Sequence, residues 1–197
     1  MAGHFEPIPG GGAAVPLDEV EISILRSLAV QMLELIGPGD EPVEGEDPLA
    51  AMFAEGPSEP PADPALARLF PDGYTGPDAD EQDEELRAAS AEFRRFTEND
   101  LRSRKRDDAL CVVRCLDALS AGGEGGAVLK LGPDDCARWL GALNDLRLTI
   151  GTRLEVGDED ENNELYRLPD DDPRKPMVMA YLWLGVLQET LVETLMH

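Results

Sequence analysis

An acidic, proline-rich stretch between residues 40 and 85 limits what this chain can fold into more than any other feature. It contains fifteen Asp and Glu side chains against a single basic residue, Arg68, and eight of the sixteen prolines of the chain. A segment of this composition buries little apolar surface, so the hydrophobic core must come from the other residues. We predict one domain over residues 1–197, with an acidic, Pro-rich excursion at about residues 38–80.

Two short helices are predicted inside this excursion. Each begins with Asp-Pro, at Asp47-Pro48 and at Asp63-Pro64. Aspartate accepts hydrogen bonds at the N-cap of a helix, and proline fits the first helical position because its missing N–H is not needed there. We expect each helix to place one phenylalanine, Phe53 or Phe70, against the body of the protein.

Four longer segments have the apolar spacing of helices. The second loses its apolar positions around Arg102 to Asp108, where we predict a kink or break. The fourth is apolar on nearly every side up to Leu187, which is typical of a buried central helix. The predicted fold is mainly α, a bundle of four principal helices around an apolar C-terminal helix. The four segments cover about residues 18–36, 81–119, 132–150 and 174–196.

A small N-terminal β element is also predicted. Phe5–Ile8 and Ala13–Leu17 flank three consecutive glycines, a pattern that favours a hairpin. Ala127–Leu131 alternates apolar and polar residues and leads into the third helix, as Ala13–Leu17 leads into the first. Two or three of these strands would tie the two helix starts together.

The strongly negative net charge of the chain disfavours some classes of function. The formal charge of −24 argues against non-specific binding to nucleic acid or to anionic membranes, because both depend on surplus Lys and Arg. The longest apolar run, residues 177–187, is about half the length of a bilayer-spanning helix. No secretory signal pattern stands at the N-terminus. We expect a cytoplasmic protein with reduced thiols and no membrane partner.

Cys111 and Cys115 are the best candidates for chemistry. On a helix, residues four apart face the same way with Cβ atoms about 5–6 Å apart, whereas a disulfide needs about 3.5–4.5 Å. Oxidation would therefore strain or unwind that turn. Basic residues upstream favour the reactive thiolate, while Asp107, Asp108 and Asp117 oppose it. The alternative is that both cysteines are small buried hydrophobes.

Other catalytic or metal chemistry finds no support. Cys136 lies in the first turn of the third helix, where it either resolves an oxidised thiol or only fills space, and we favour the second. The two histidines, His4 and His197, lie at the chain ends, and no zinc, nucleotide-binding or hydrolase motif is present. We predict a protein that is not an enzyme and holds no metal or cofactor.

Residues 86–114 form the only long segment with net positive charge, eight basic against five acidic side chains. These cations either contact an acidic partner or pair with the chain's own carboxylates. DNA binding without a partner is not expected from a chain this acidic. The candidate partner-binding residues are Arg94, Arg95, Arg102, Arg104, Lys105 and Arg106.

Three strings, residues 63–72, 92–102 and 143–154, together with the helix order, identify a resemblance over nearly the whole chain. The sequence resembles a conserved actinobacterial family described as a domain of unknown function. Genes of that family typically lie near those for the Clp-protease adaptor and for cysteine biosynthesis. The family is also associated with an actinomycete oxidative-stress regulator, a thiol-switched transcription factor that works with an alternative sigma factor.

The resemblance implies a cytoplasmic, non-enzymatic regulator that senses oxidants through cysteines. Cys111 and Cys115 would then form the thiol-disulfide switch, since they are the only closely spaced pair. Its output would be contact with a protein partner, such as a sigma factor or transcription complex. The alternative is a constitutive protein-interaction module or homodimer linked to Clp-type proteolysis, with structural cysteines and no redox role.

Overall fold

A computed structural model of the chain describes residues 3–38, 55–74, 84–120, 126–157 and 167–196. The mainly α class and the small β element are confirmed. The predicted helix at Asp47-Pro48, with Phe53, lies outside the described residues. The helices are α1 (Glu19–Ile36), α2 (Pro64–Leu69), α3 (Glu84–Ser120), α4 (Pro133–Arg153) and α5 (Lys175–Leu195), and the strands are β1 (Glu6–Pro7), β2 (Ala13–Leu17) and β3 (Ala127–Leu131).

The three strands form one antiparallel sheet in the order β1-β2-β3. Ala13 pairs with Leu131 and Leu17 with Ala127, so the sheet places the starts of α1 and α4 side by side. Gly12, in the hairpin, has a φ of +105°, and a Cβ there would lie 2.2 Å from the carbonyl oxygen of Leu131. Only glycine allows this close approach of the two strands.

Phe5, just before β1, fastens this sheet to the last helix. Its side chain is buried and meets Trp139 of α4 edge to face. Its backbone N–H donates to the Thr190 hydroxyl at 3.1 Å, and its carbonyl accepts a bond from the Thr194 hydroxyl at 3.5 Å. The N-terminal strand and α5 are therefore held together by both packing and hydrogen bonds.

Two helix starts follow the sequence signals directly. Asp18 accepts from the Glu21 N–H at 2.8 Å while the Glu21 carboxylate accepts from the Asp18 N–H at 2.9 Å, which is a capping box. Asp63 caps α2 in the predicted way through the N–H groups of Ala65 and Leu66. Phe70, which follows α2, is buried against the core as predicted.

The central position belongs to α4 instead of the C-terminal helix. α4 packs against α1, α2, α3, α5 and β3, whereas α5 packs against α4 and the N-terminal strands. α5 leaves Met177, Met179 and Val186 exposed. The prediction that the helix with apolar residues on nearly every side is the buried central one is therefore wrong. Although α5 is so apolar, no helix within the described ranges has the length and apolar character needed to cross a bilayer.

The predicted kink near Arg102–Asp108 is wrong, because α3 runs without a break from Glu84 to Ser120. Apolar residues are scarce there because inward positions carry charged side chains with partners inside the protein. Conversely, Phe93 and Phe96, which the spacing places on the apolar stripe, are 46% and 63% exposed. The inner face of this half of α3 is thus polar.

Candidate functional site

The Cys111 thiol lies at the contact between α3 and α4. Its side chain is only 5% exposed, and its sulfur donates a hydrogen bond to Oδ1 of Asp135 at 3.5 Å. Asp135 stands in the first turn of α4, two residues after Pro133, where that helix begins. Cys115, one turn further along α3, is half-buried. Two thiols and one carboxylate from two helices therefore form a single group.

These surroundings hold Cys111 as the neutral thiol. Burial, then the neighbouring Cys115, and then the Asp135 carboxylate raise the pKa of Cys111 to about 12. An ordinary cysteine has a pKa near 8.5, so deprotonation of Cys111 near neutral pH is strongly disfavoured. The expectation that upstream basic residues favour its thiolate is wrong, because burial, the second thiol and the carboxylate all raise its pKa and, among the residues described, no cation acts against them.

A disulfide between Cys111 and Cys115 cannot form on the helix as it stands. α3 is continuous through both residues, so their Cβ atoms keep the helical separation of about 5–6 Å, longer than a disulfide allows. Val112 and Leu116, on the same turn, are 1% and 0% exposed. Any rearrangement that joins the two sulfurs must therefore disturb core packing as well.

Cys136 has a different environment from the other two cysteines. It is fully buried in the first turn of α4, and its sulfur lies 3.9 Å from the carbonyl oxygen of Leu131. Burial raises the pKa of its thiol as well. These surroundings suit the space-filling interpretation. Across the described part of the chain, no three or more His, Cys, Asp and Glu side chains are grouped so as to hold a metal ion.

Two of the candidate partner-binding cations donate hydrogen bonds to the carbonyl groups at the C-terminal end of α1. Arg102 donates to the Ile36 carbonyl at 2.9 Å, and Arg106 donates to the carbonyls of Leu33 and Gly37. The last turn of α1 contains no basic residue of its own. Because the C-terminal end of a helix carries partial negative charge, cations from α3 stabilise it.

Arg94 and Glu98 form a buried ion pair, with 4% and 3% of each residue exposed. Arg94 also donates to Oδ1 of Asp72 at 2.7 Å and to the Phe70 carbonyl at 3.0 Å. The other Glu98 oxygen accepts two bonds from Arg102, at 2.7 and 2.8 Å. This arrangement satisfies charges that would otherwise be costly to bury.

Of the remaining three candidate cations, two form ion pairs within the protein and one is exposed. Lys105 pairs with the buried Asp145 of α4 at 2.7 Å, and Arg95 pairs with Glu55. Arg104 is exposed and has no ion pair or hydrogen bond to any part of the chain that the structure describes. Five of the six residues considered for a partner surface thus make internal contacts, as the ion-pair alternative expects.

Comparison with known proteins agrees with the predicted resemblance. The family model DUF2017, a domain of unknown function, matches residues 2–195. The chain belongs to the DUF2017 family. Proteins named oxidative stress regulator AosR, from Mycobacterium tuberculosis and Mycobacterium bovis, are 32% identical to it over 182 residues, covering 89% of this chain and 78% of theirs. A putative oxidative stress regulator AosR from Mycobacterium leprae is 31% identical over the same share of this chain. No solved structure matches.

Two of the three strings behind the resemblance contact each other in this DUF2017 protein, and Lys105, which lies outside the strings, links the third to α3. Residues 63–72 supply Phe70 and Asp72, which Arg94 binds, and residues 92–102 supply Arg94, Arg102 and the Glu98 carboxylate that holds both. Residues 143–154 supply Asp145, which Lys105 ties to α3. The strings therefore build an interhelix network, and the cysteines lie outside all three.

Sequence reasoning missed Asp135 as part of the site of this DUF2017 member. Its position in the first turn of α4 suggested a favourable interaction with the positive end of the helix and an effect on the thiolate of the adjacent Cys136, but no contact with Cys111. The contact with Cys111 depends on the antiparallel packing of α3 and α4, which no local pattern encodes. The useful signal was a carboxylate beside Cys136, at a helix start that the sheet holds in place.

Proposed function

We propose that this protein is a regulator of the response to oxidative stress that works through a Cys111–Cys115 thiol-disulfide switch. The observation that carries the proposal is the pair of thiols one turn apart on a continuous helix, at a core contact with Asp135. Support comes also from similarity over 89% of the chain to proteins named oxidative stress regulators.

The chemistry begins at Cys115, because it is half-buried whereas Cys111 is almost fully enclosed. Its thiolate attacks hydrogen peroxide, so an S–O bond forms, the O–O bond breaks and hydroxide leaves. Cys111 then gives up its proton and attacks the Cys115 sulfur. The S–S bond forms, the S–O bond breaks, and the second oxygen leaves as water. Overall, two thiols and one peroxide give one disulfide and two waters.

The output is a change in shape at the junction of α3 and α4. A disulfide removes the S–H that Cys111 donates to Asp135, and it shortens the separation of the two Cβ atoms below that of a helix. The turn of α3 that carries Val112 and Leu116 must then repack. A protein partner, such as a sigma factor or transcription complex, would read this change, and any contact with DNA would depend on that partner.

Peptide mapping by mass spectrometry, with far-UV circular dichroism, tests the switch. After mild peroxide we expect loss of two hydrogens from the peptide containing Cys111 and Cys115, reduced helicity, and reversal by dithiothreitol. Cys115→Ser should abolish the change and the matched control Cys136→Ser should keep it. If all thiols stay intact while Met196, which is 77% exposed, becomes oxidised, the switch is wrong.

A second candidate function is a constitutive interaction module with structural cysteines that acts beside Clp-type proteolysis. The burial of Cys111 and its pKa of about 12 favour this alternative, because both make the thiol unreactive. Cys111→Ser separates the two candidates. It should remove oxidant-dependent binding to a partner in the first and leave binding unchanged in the second.

A further inference from the structure

An apolar groove of about 1010 Å³ lies between α1 and α5, with α4 at its base. It is separate from the thiols, none of which lines it. Ile24 and Leu28 line the α1 side, Met177 and Met179 line the α5 side, and Leu146 and Ile150 form the base.

The walls of this groove are open to solvent. Ile24 is 40% exposed, Met177 41% and Met179 57%. Contiguous exposed apolar surface of this kind marks a binding site, and a groove between two helices fits the apolar face of a further helix. Methionine side chains suit such a role because they are flexible and polarizable, so they adapt to the shape of a partner.

The charge around the groove indicates which kind of molecule binds there. The polar residues along the groove include Glu21 and Glu34 against one cation, Arg153. Two further cations at the start of α5, Arg174 and Lys175, are already paired with aspartates of the preceding loop. A second copy of this chain, also at −24, would be repelled, and so would an acidic amphiphile. A basic partner would be attracted.

We propose that this groove is the docking site for an amphipathic helix of a protein partner, with apolar residues on the inner face and Lys or Arg on the outer face. This inference rests on the proposed function only in naming the kind of partner that the regulator binds. Binding to the groove can be measured on reduced protein without oxidant. Its failure is therefore distinguishable from failure of the thiol switch.

The probe is a fluorescein-labelled peptide of about 18 residues, five helical turns, with Leu at positions i, i+3, i+4 and i+7 and Lys elsewhere. Its affinity is measured by fluorescence anisotropy on the full chain. We expect Met179→Lys to weaken binding about tenfold or more. Val128→Lys is the matched control, since Val128 is 54% exposed on β3 outside the groove and the charge change is the same. It should weaken binding about twofold at most.

Two comparison peptides separate shape from charge. A scrambled peptide of identical composition has no apolar face and should bind about tenfold more weakly or worse, and a peptide with Glu in place of Lys should not bind measurably. Equal effects of Met179→Lys and Val128→Lys, or equal binding of the scrambled peptide, would show that only net charge attracts the probe, and the proposal would be wrong.

Sedimentation and native mass spectrometry test the other occupants. We expect a wild-type monomer at the concentrations of the binding assay, with no small molecule retained. A dimer that Met179→Lys dissociates would make the groove a contact between copies of this chain. A co-purified apolar molecule that the same variant loses would make it a small-ligand site. Either result would overturn the proposal.

Discussion

The Cys111 thiol donates its hydrogen bond to Asp135 across the junction of α3 and α4, over a sulfur–oxygen distance of 3.5 Å. A nearby carboxylate disfavours the thiolate, so Asp135 adds to the effect of burial in keeping this cysteine protonated. In the proposed switch, the closing step waits for Cys111 to lose its proton. If the proposed switch operates, we expect the contact between these two residues to set how readily its disulfide closes.

Replacing Asp135 by Asn should make Cys111 more reactive. The change removes the negative charge but keeps the size of the side chain, so the pKa of Cys111 falls while burial still holds it above the ordinary value. We expect iodoacetamide to alkylate Cys111 several-fold faster at pH 8–9, about the range where an ordinary thiol titrates. Peptide mapping in a background lacking the other two cysteines measures the rate.

The matched control for that experiment is Asp134→Asn. Asp134 is exposed in the same first turn of α4, so it undergoes the same charge change near the same helix end. It should leave alkylation of Cys111 within about twofold of the parent. Equal acceleration by the two variants would indicate a general field of the helix start, and Asp135 would have no special role.

The protonation of Cys111 also predicts how stability depends on pH. Its pKa is about 12 in the folded protein and about 8.5 in the unfolded chain, so the folded form binds the proton more tightly. The resulting stabilisation is fully present below about pH 8.5 and is lost as the pH rises toward 12. Urea unfolding at pH 8 and pH 10.5 measures this loss.

Comparison with Cys111→Ala isolates the contribution of this one thiol, since alanine has no proton to lose. The difference in unfolding free energy between wild type and variant should shrink by about 2–3 kcal/mol between pH 8 and pH 10.5. A difference that stays constant over that interval would contradict the raised pKa.

Glu98→Gln should strongly destabilise the protein. Glu98 is 3% exposed and its two oxygens hold Arg94 and Arg102, so the neutral side chain leaves two guanidinium groups without their shared carboxylate. Breaking a buried pair in this way costs about 3–5 kcal/mol. Glu92→Gln, on the exposed side of the same helix, should cost less than about 0.5 kcal/mol. Chemical denaturation compares the two, and equal losses would contradict the assignment.

Gly12→Ala and Gly10→Ala form a second matched pair. Both glycines have positive φ, +105° and +92°, so alanine is strained at either position. Only at Gly12 would the new Cβ also meet a backbone carbonyl, at 2.2 Å. We expect about 1 kcal/mol for Gly10→Ala and at least about 2 kcal/mol more for Gly12→Ala, seen as a lower Tm. Similar Tm values for both variants would mean that β2 and β3 move apart at Gly12 with no loss of stability, and they would contradict the close approach to Leu131.

Local signals were sufficient for most of the elements. The Asp63-Pro64 start of α2 and the hairpin around Gly10–Gly12 were recognisable because the groups that form them are neighbours in sequence. The enclosed helix was not, because burial depends on how many elements surround a helix and not only on its own composition. Long-range ion pairs such as Lys105 with Asp145 likewise need the packed bundle, so their cations resembled a free basic surface.

The contacts of Phe5 have a consequence for synthesis on the ribosome. This residue is made well over a hundred residues before its partners, which are Trp139 on α4 and the hydroxyl groups of Thr190 and Thr194 on α5. Strand β2 similarly waits for β3, more than a hundred residues later. Such non-local pairing slows folding, because a long loop must close before the contacts form. The emerging chain therefore cannot complete its core until α5 has left the ribosome, and until then the apolar side chains of Phe5 and β2 need protection from aggregation.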